Sequence, residues 1–141
     1  MNPQLRINNL SKFYKKRNQK FFALKNITFS IQKGEVISLV GPSGSGKTTL
    51  GRILVGIVAP SSGEIIYYEE KLPFPFPARV RPKLQMVFQE PASSLNPRFS
   101  ALQLVSEPLI LEGLAQKQAE TMAIEMIYKM GLKVEHLSRF P

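Results

Sequence analysis

The residues best equipped for chemistry are Gly41, Pro42, Ser43, Gly44, Ser45, Gly46, Lys47, Thr48 and Thr49. Their glycines let the backbone turn tightly and aim N–H groups at phosphate oxygens. Lys47 supplies a point charge for β- and γ-phosphates, and the Thr48 hydroxyl a hard ligand for Mg²⁺. The pattern is G-x-x-x-x-G-K-T, that of a phosphate-binding loop. Two other residues are candidates. Gln89 follows the apolar run 84–88. At the carboxyl end of a strand it could touch a γ-phosphate, Mg²⁺ or attacking water; the plain alternative is a loop residue. Tyr14 is placed either to stack on a nucleobase or to fill the core. A dinucleotide-binding glycine pattern is excluded, because Thr49 stands where its third glycine belongs and no acidic residue follows at the right distance.

Such a loop works only between a strand and a helix. Residues 36–40, Val-Ile-Ser-Leu-Val, read as a short strand buried on both faces. After the loop, Leu50, Ile53, Leu54 and Ile57 recur at helical spacing. The N-terminus of that helix adds unpaired N–H donors and the positive end of its dipole. Upstream, residues 4–14 alternate weakly, with Leu5 and Ile7 on one face. Residues 15–20 read as a basic turn, and 24–31 alternate well, with Ile27, Phe29 and Ile31 inward. These predict an antiparallel hairpin beside the loop.

Downstream, 60–63 is a turn and 64–68 a strand. The proline-punctuated 72–77 reads as a surface loop, 84–88 as a buried strand and 91–100 as a loop. From about Ala101 the chain turns helical, with Leu102, Val105 and Leu109 on one face and a kink at Pro108. A second helix, 116–130, carries Ala119, Met122, Ala123, Met126, Ile127 and Met130 as one stripe. That stripe is either core or an adaptable partner surface. His136 lies in a polar tail, read as surface, which ends without a closing cap or turn. The division expected is a nucleotide-binding core over 1–100 and a helical part over 101–141.

At 141 residues the chain amounts to about one domain. It has no cysteine, which excludes disulfides and thiolate metal sites. No apolar run approaches a membrane span, and the first residues are not those of a signal peptide, so a cytoplasmic, soluble protein is expected. The net charge is +9, densest at Lys12, Lys15, Lys16, Arg17 and Lys20. With no aromatic stripe evident beside it, this cluster reads as a solvated hairpin rather than a nucleic-acid surface. All ten acidic residues are Glu; there is no Asp. Hydrolysis on phosphate-loop folds normally uses an Asp at the end of a second strand to hold Mg²⁺. The expectation is binding without hydrolysis, or a sequence that stops before its catalytic half.

Taken in order, these motifs resemble the ATP-binding subunits of ABC transporters. Tyr14 stands in the place of the adenine-stacking aromatic, and G-P-S-G-S-G-K-T-T-L in that of Walker A. P-S-S-G-E-I follows, then Q-M-V-F-Q as the Q-loop with Gln89 as its glutamine. The segment 89–98, Q-E-P-A-S-S-L-N-P-R, is similar to importers of dipeptides, oligopeptides and nickel. The resemblance implies an α/β P-loop NTPase of ABC type, incomplete. It would hold an antiparallel β hairpin region, part of the parallel core and the start of a helical subdomain. It implies Mg-ATP, membrane-embedded permease subunits and a second ATP-binding subunit, in a homo- or heterodimer at the cytoplasmic face of the membrane. No nucleic acid is implied. The family's signature, Walker B, catalytic Glu and switch His have no match here, and Glu90 and His136 do not replace them. No catalytic residue is therefore assigned, and the chain is expected to be inactive alone. The competing readings are a truncated, non-hydrolytic nucleotide-binding remnant or regulatory module, and a basic, nucleic-acid-associated ATPase.

Overall fold

A computed structural model describes residues 3–17, 19–90 and 94–141. Outside them lie Met1 and Asn2, Asn18 of the basic turn, and residues 91–93, which fall in the expected loop 91–100 and in the segment 89–98. The chain folds as two units, Met1–Met86 and Val87–Pro141.

The first unit is an antiparallel sheet with one helix. Strands β1 (Leu5–Lys16), β2 (Gln19–Ile31), β3 (Ser62–Tyr67) and β4 (Glu70–Lys71) lie in the order β2-β1-β3-β4. The expected hairpin is present but longer than anticipated. Residues 15, 16, 19 and 20 belong to the strands rather than to a turn: Lys15 pairs with Lys20 and Lys16 with Gln19. Leu5 and Ile7 are buried as expected, while Ile27, Phe29 and Ile31 pack half-buried against the core. β3 reverses into β4 through Tyr68 and Glu69, both at positive φ (44° and 68°), as a tight primed turn requires.

Helix α1 (Lys47–Leu54) buries Leu50 and Ile53. It ends before Ile57, which is 53% exposed. Gly56, at φ 78°, donates its N–H to Ile53 O (3.0 Å), and Ile57 to Arg52 O (2.8 Å). This is the paired closure of a left-handed helix C-terminus. Segment 72–77 is a loop, but not a purely superficial one. Leu72 and Phe76 belong to the core, and the Phe76 ring would lie 2.6 Å from a Cβ on Gly56.

The buried strands expected at 36–40 and 84–88 are not paired. Val36 and Val40 are each 91% exposed and Val87 89%. An apolar run of this kind becomes a strand only where neighbours on both sides take its N–H and C=O groups and cover its faces. Among the described residues no strand does so, and the ladder that forms is wholly antiparallel.

The second unit is a helical hairpin, α2 (Ala101–Leu111) and α3 (Gln116–Lys129). Ser100 and Gln103 form a reciprocal capping box at the start of α2. Pro108 is accommodated inside the helix. On α3 the expected stripe splits. Ala119, Ala123 and Ile127 are buried, whereas Met122, Met126 and Met130 are exposed. Residues four apart form the seam with small side chains, and the methionines lie on the adjoining row. The tail is tied down rather than loose: Ala101 donates its N–H to Arg139 O (2.8 Å) and Leu102 to Leu137 O (3.0 Å). His136 is half-buried there, its Nδ1 accepting from the Lys133 N–H (2.8 Å).

Candidate functional site

The glycine-rich loop leads into α1 as its sequence predicts, even without the strand before it. Ser45 N–H reaches Pro42 O (3.3 Å), and Leu50 N–H closes the first helical turn on Gly46 O (2.8 Å). Gly46 occupies the N-cap at φ 94°. Any Cβ there would stand 2.3 Å from Ala23 O and 2.9 Å from Leu24 Cδ2. Only glycine therefore fits, on grounds of both conformation and space. A glycine N-cap offers no side chain to the first-turn N–H groups, and no acidic residue sits in that turn. Those donors remain for an anion.

Lys47 curls back over the loop. Its Nζ donates to Gly41 O (2.7 Å), Pro42 O (2.8 Å) and Ser45 Oγ (3.3 Å). These use all three donors of an ammonium. The positive charge thus sits at the middle of the loop, beside the helix N-terminus. Ser43, Gly44 and Thr48 are exposed around it, and Thr49 is half-buried. Leu50 and Ile53 lock α1 into the core, so the position of Lys47 follows from apolar packing one turn further on.

The hairpin passes directly beside the loop at Ala23 and Leu24. Beyond that point lies a cavity of about 630 Å³ lined by Tyr14, Arg17, Gln19, Lys20 and Phe21. Tyr14 is 45% exposed, not a core aromatic. Lys12 Nζ, anchored on Ala59 O at 2.7 Å, lies 5.1 Å from the centroid of the Tyr14 ring. Lys20 Nζ lies 4.9 Å from that of Phe13, whose ring meets Phe22 at 5.8 Å. Lys12 and Lys20 thus lie against aromatic rings, which corrects the reading that no aromatics accompany the cluster; Lys15, Arg17 and Lys20 are exposed on the hairpin, as a solvated one has them. The missed residues are Phe21 and Gln19. Their signal was the strand register, which sets Tyr14 opposite Phe21 and Lys16 opposite Gln19.

Gln89 lies in the second unit, exposed, at a bend. Among the described residues no group of three or more His, Cys, Asp or Glu could hold a metal. In the first unit the available donor is a neutral oxygen, the Thr48 hydroxyl. Such a donor fits a Mg²⁺ ion held mainly by phosphates of a bound ligand. Also among the described residues, no helix is long and apolar enough to cross a membrane.

The family model described as ABC transporter matches residues 24–139. The chain is 41% identical over 123 residues to the dipeptide transport ATP-binding protein DppF of Escherichia coli (strain K12), covering 84% of this chain and 37% of that protein. It is 42% identical over 130 residues to the oligopeptide transport ATP-binding protein OppF of Streptococcus pyogenes serotype M1, covering 87% and 42%. The chain thus spans less than half the length of these relatives. A solved dimer of the ATP-binding cassette MJ0796, bound to ADP and Pi, matches with a TM-score of 0.80 at 28% identity, over 97% of this chain and 61% of that one.

Proposed function

The chain belongs to the ABC transporter family and carries part of its P-loop NTPase fold, and on that premise we propose that it grips Mg-ATP for a peptide importer. The observation that carries this reading is the loop itself. An ammonium is fixed over a glycine-capped helix N-terminus whose donors have no side-chain competitor. Gly41 to Gly46 and the N–H groups of Lys47, Thr48 and Thr49 wrap the phosphates. Lys47 exchanges loop oxygens for phosphate oxygens, and Tyr14 stacks on the base. Thr48 would hold Mg²⁺, which supplies charge neutralisation on the phosphates.

The names of the relatives support peptides as the transported class; nickel rests on the motif 89–98 alone. Residues 1–100 are assigned to the ATP-binding core and 101–141 to the helical subdomain. The partners are permease subunits and a second ATP-binding subunit, with the protein peripheral at the cytoplasmic face of the membrane. These 141 residues supply binding rather than a hydrolytic base: they contain no Asp, and neither Glu90 nor His136 serves as one. The test is calorimetric titration of the purified protein with Mg-ATP, with Lys47→Ala alongside. Binding that the substitution abolishes is expected; equal binding by both proteins, or none by either, overturns the assignment.

A further inference from the structure

The cavity at the hairpin tip does more than present one aromatic. Tyr14 and Phe21 are direct cross-strand partners, so their side chains project from the same face, with Cβ atoms about 5 Å apart. Lys12 pairs with Leu24 on the same strands and lies against the Tyr14 ring. The register shift between Lys12 and Phe13 brings Leu24 and Phe21, three apart on β2, to the same face; that face carries Leu24, which touches the phosphate loop at Gly46, then Lys12, then Tyr14 with Phe21. Their partners Lys12 and Tyr14 are two residues apart, about 7 Å of strand, a span that a nucleoside triphosphate bridges. Phe21 is 64% exposed, so it is not held there by core packing. Gln19 and Arg17 stand at the polar rim of the same cavity.

We infer that Phe21 completes a platform with Tyr14 whose breadth selects purine over pyrimidine nucleotides, Gln19 and Arg17 meeting the polar edge of the base. The inference rests on the nucleotide-binding reading above. A single aromatic stacks on any base, since every base has a π-face. Two rings side by side reward a fused bicyclic base, which overlaps both, more than a monocyclic one. Lys12 is a positioning residue: its ammonium, tethered to Ala59 O, restrains the Tyr14 ring through a cation–π contact.

The test is equilibrium titration of the purified protein with Mg-ATP and with Mg-CTP, for the wild type, Phe21→Ala, Phe21→Tyr and Lys47→Ala. Phe21→Ala is expected to weaken ATP binding by about fivefold or more while changing CTP binding much less, so that the ATP-to-CTP affinity ratio falls. Phe21→Tyr, which keeps the ring, restores the ratio. Lys47→Ala weakens both nucleotides by a common factor. A Phe21→Ala ratio equal to that of the wild type, with Lys47-dependent binding intact, overturns the platform and leaves the nucleotide reading standing. Failure of the wild type to bind either nucleotide overturns both.

Discussion

Lys47 spends its three donors on oxygens of an exposed loop, where each bond adds little to stability. Lys47→Ala is expected to weaken Mg-ATP binding by about tenfold or more, the worth of a charge-assisted hydrogen bond, while leaving the thermal midpoint nearly unchanged. Calorimetry and a melting curve on the same sample check both halves. Gly46 has the opposite character. Its φ of 94° and the 2.3 Å approach of a Cβ to Ala23 O combine two penalties. Gly46→Ala is expected to cost about 2 kcal/mol or more, read as a lower denaturant midpoint, and to weaken nucleotide binding by displacing the loop. An unchanged midpoint would show that the loop relaxes away from β2 freely.

Among elements, the short β3–β4 pairing is held by charge. Glu64 accepts from Lys71 (2.8 Å) and from Asn8 Nδ2 (3.0 Å). The hydrogen bond from Lys71, then that from Asn8, then the charge of Lys71 hold its carboxyl below the ordinary carboxylate range. A lowered folded-state pKa means that the unfolded chain binds the proton first. The stabilisation is therefore present above the ordinary carboxylate pKa and is lost as pH falls through the folded value. Melting temperature is expected to fall slightly over that acidic window, and Glu64→Gln to flatten this part of the profile. A steeper profile in the variant would contradict the assignment. α1 depends instead on burial. Ile53 is fully buried, and Ile53→Ala is expected to destabilise the first unit by about 2–5 kcal/mol in a denaturant titration, while the Lys47 loop loses its anchor.

At the scale of the molecule, the decisive feature is apolar surface without a partner. Val36, Val40 and Val87 are almost fully exposed, as are Leu111 and Met130 at 81% each. Apolar side chains exposed to that extent in each unit favour association. The 141-residue polypeptide on its own is expected to bind a hydrophobic dye and to sediment as mixed oligomers. A monodisperse sample with one sharp, cooperative transition would refute this.

The sequence by itself determined the loop, the helix after it, the hairpin and the family. Each rests on local rules: glycine at positive φ, apolar residues at period 3.6 or 2, and a lysine at fixed spacing. It also placed Leu5, Ile7, Leu50 and Ile53 in the core, because their spacing put them on one face. Tertiary structure decided the rest. Residues 36–40 and 84–88 have strand composition, but pairing is a property of two segments, and no segment of the described residues pairs with them. The α3 methionines fit a stripe, yet only the row facing α2 is buried, and period alone does not say which row that is. Phe76 looked like loop and became core because Gly56 leaves room for its ring. Tyr14 and Phe21 are seven residues apart on two different strands, and the register of the hairpin sets them opposite each other.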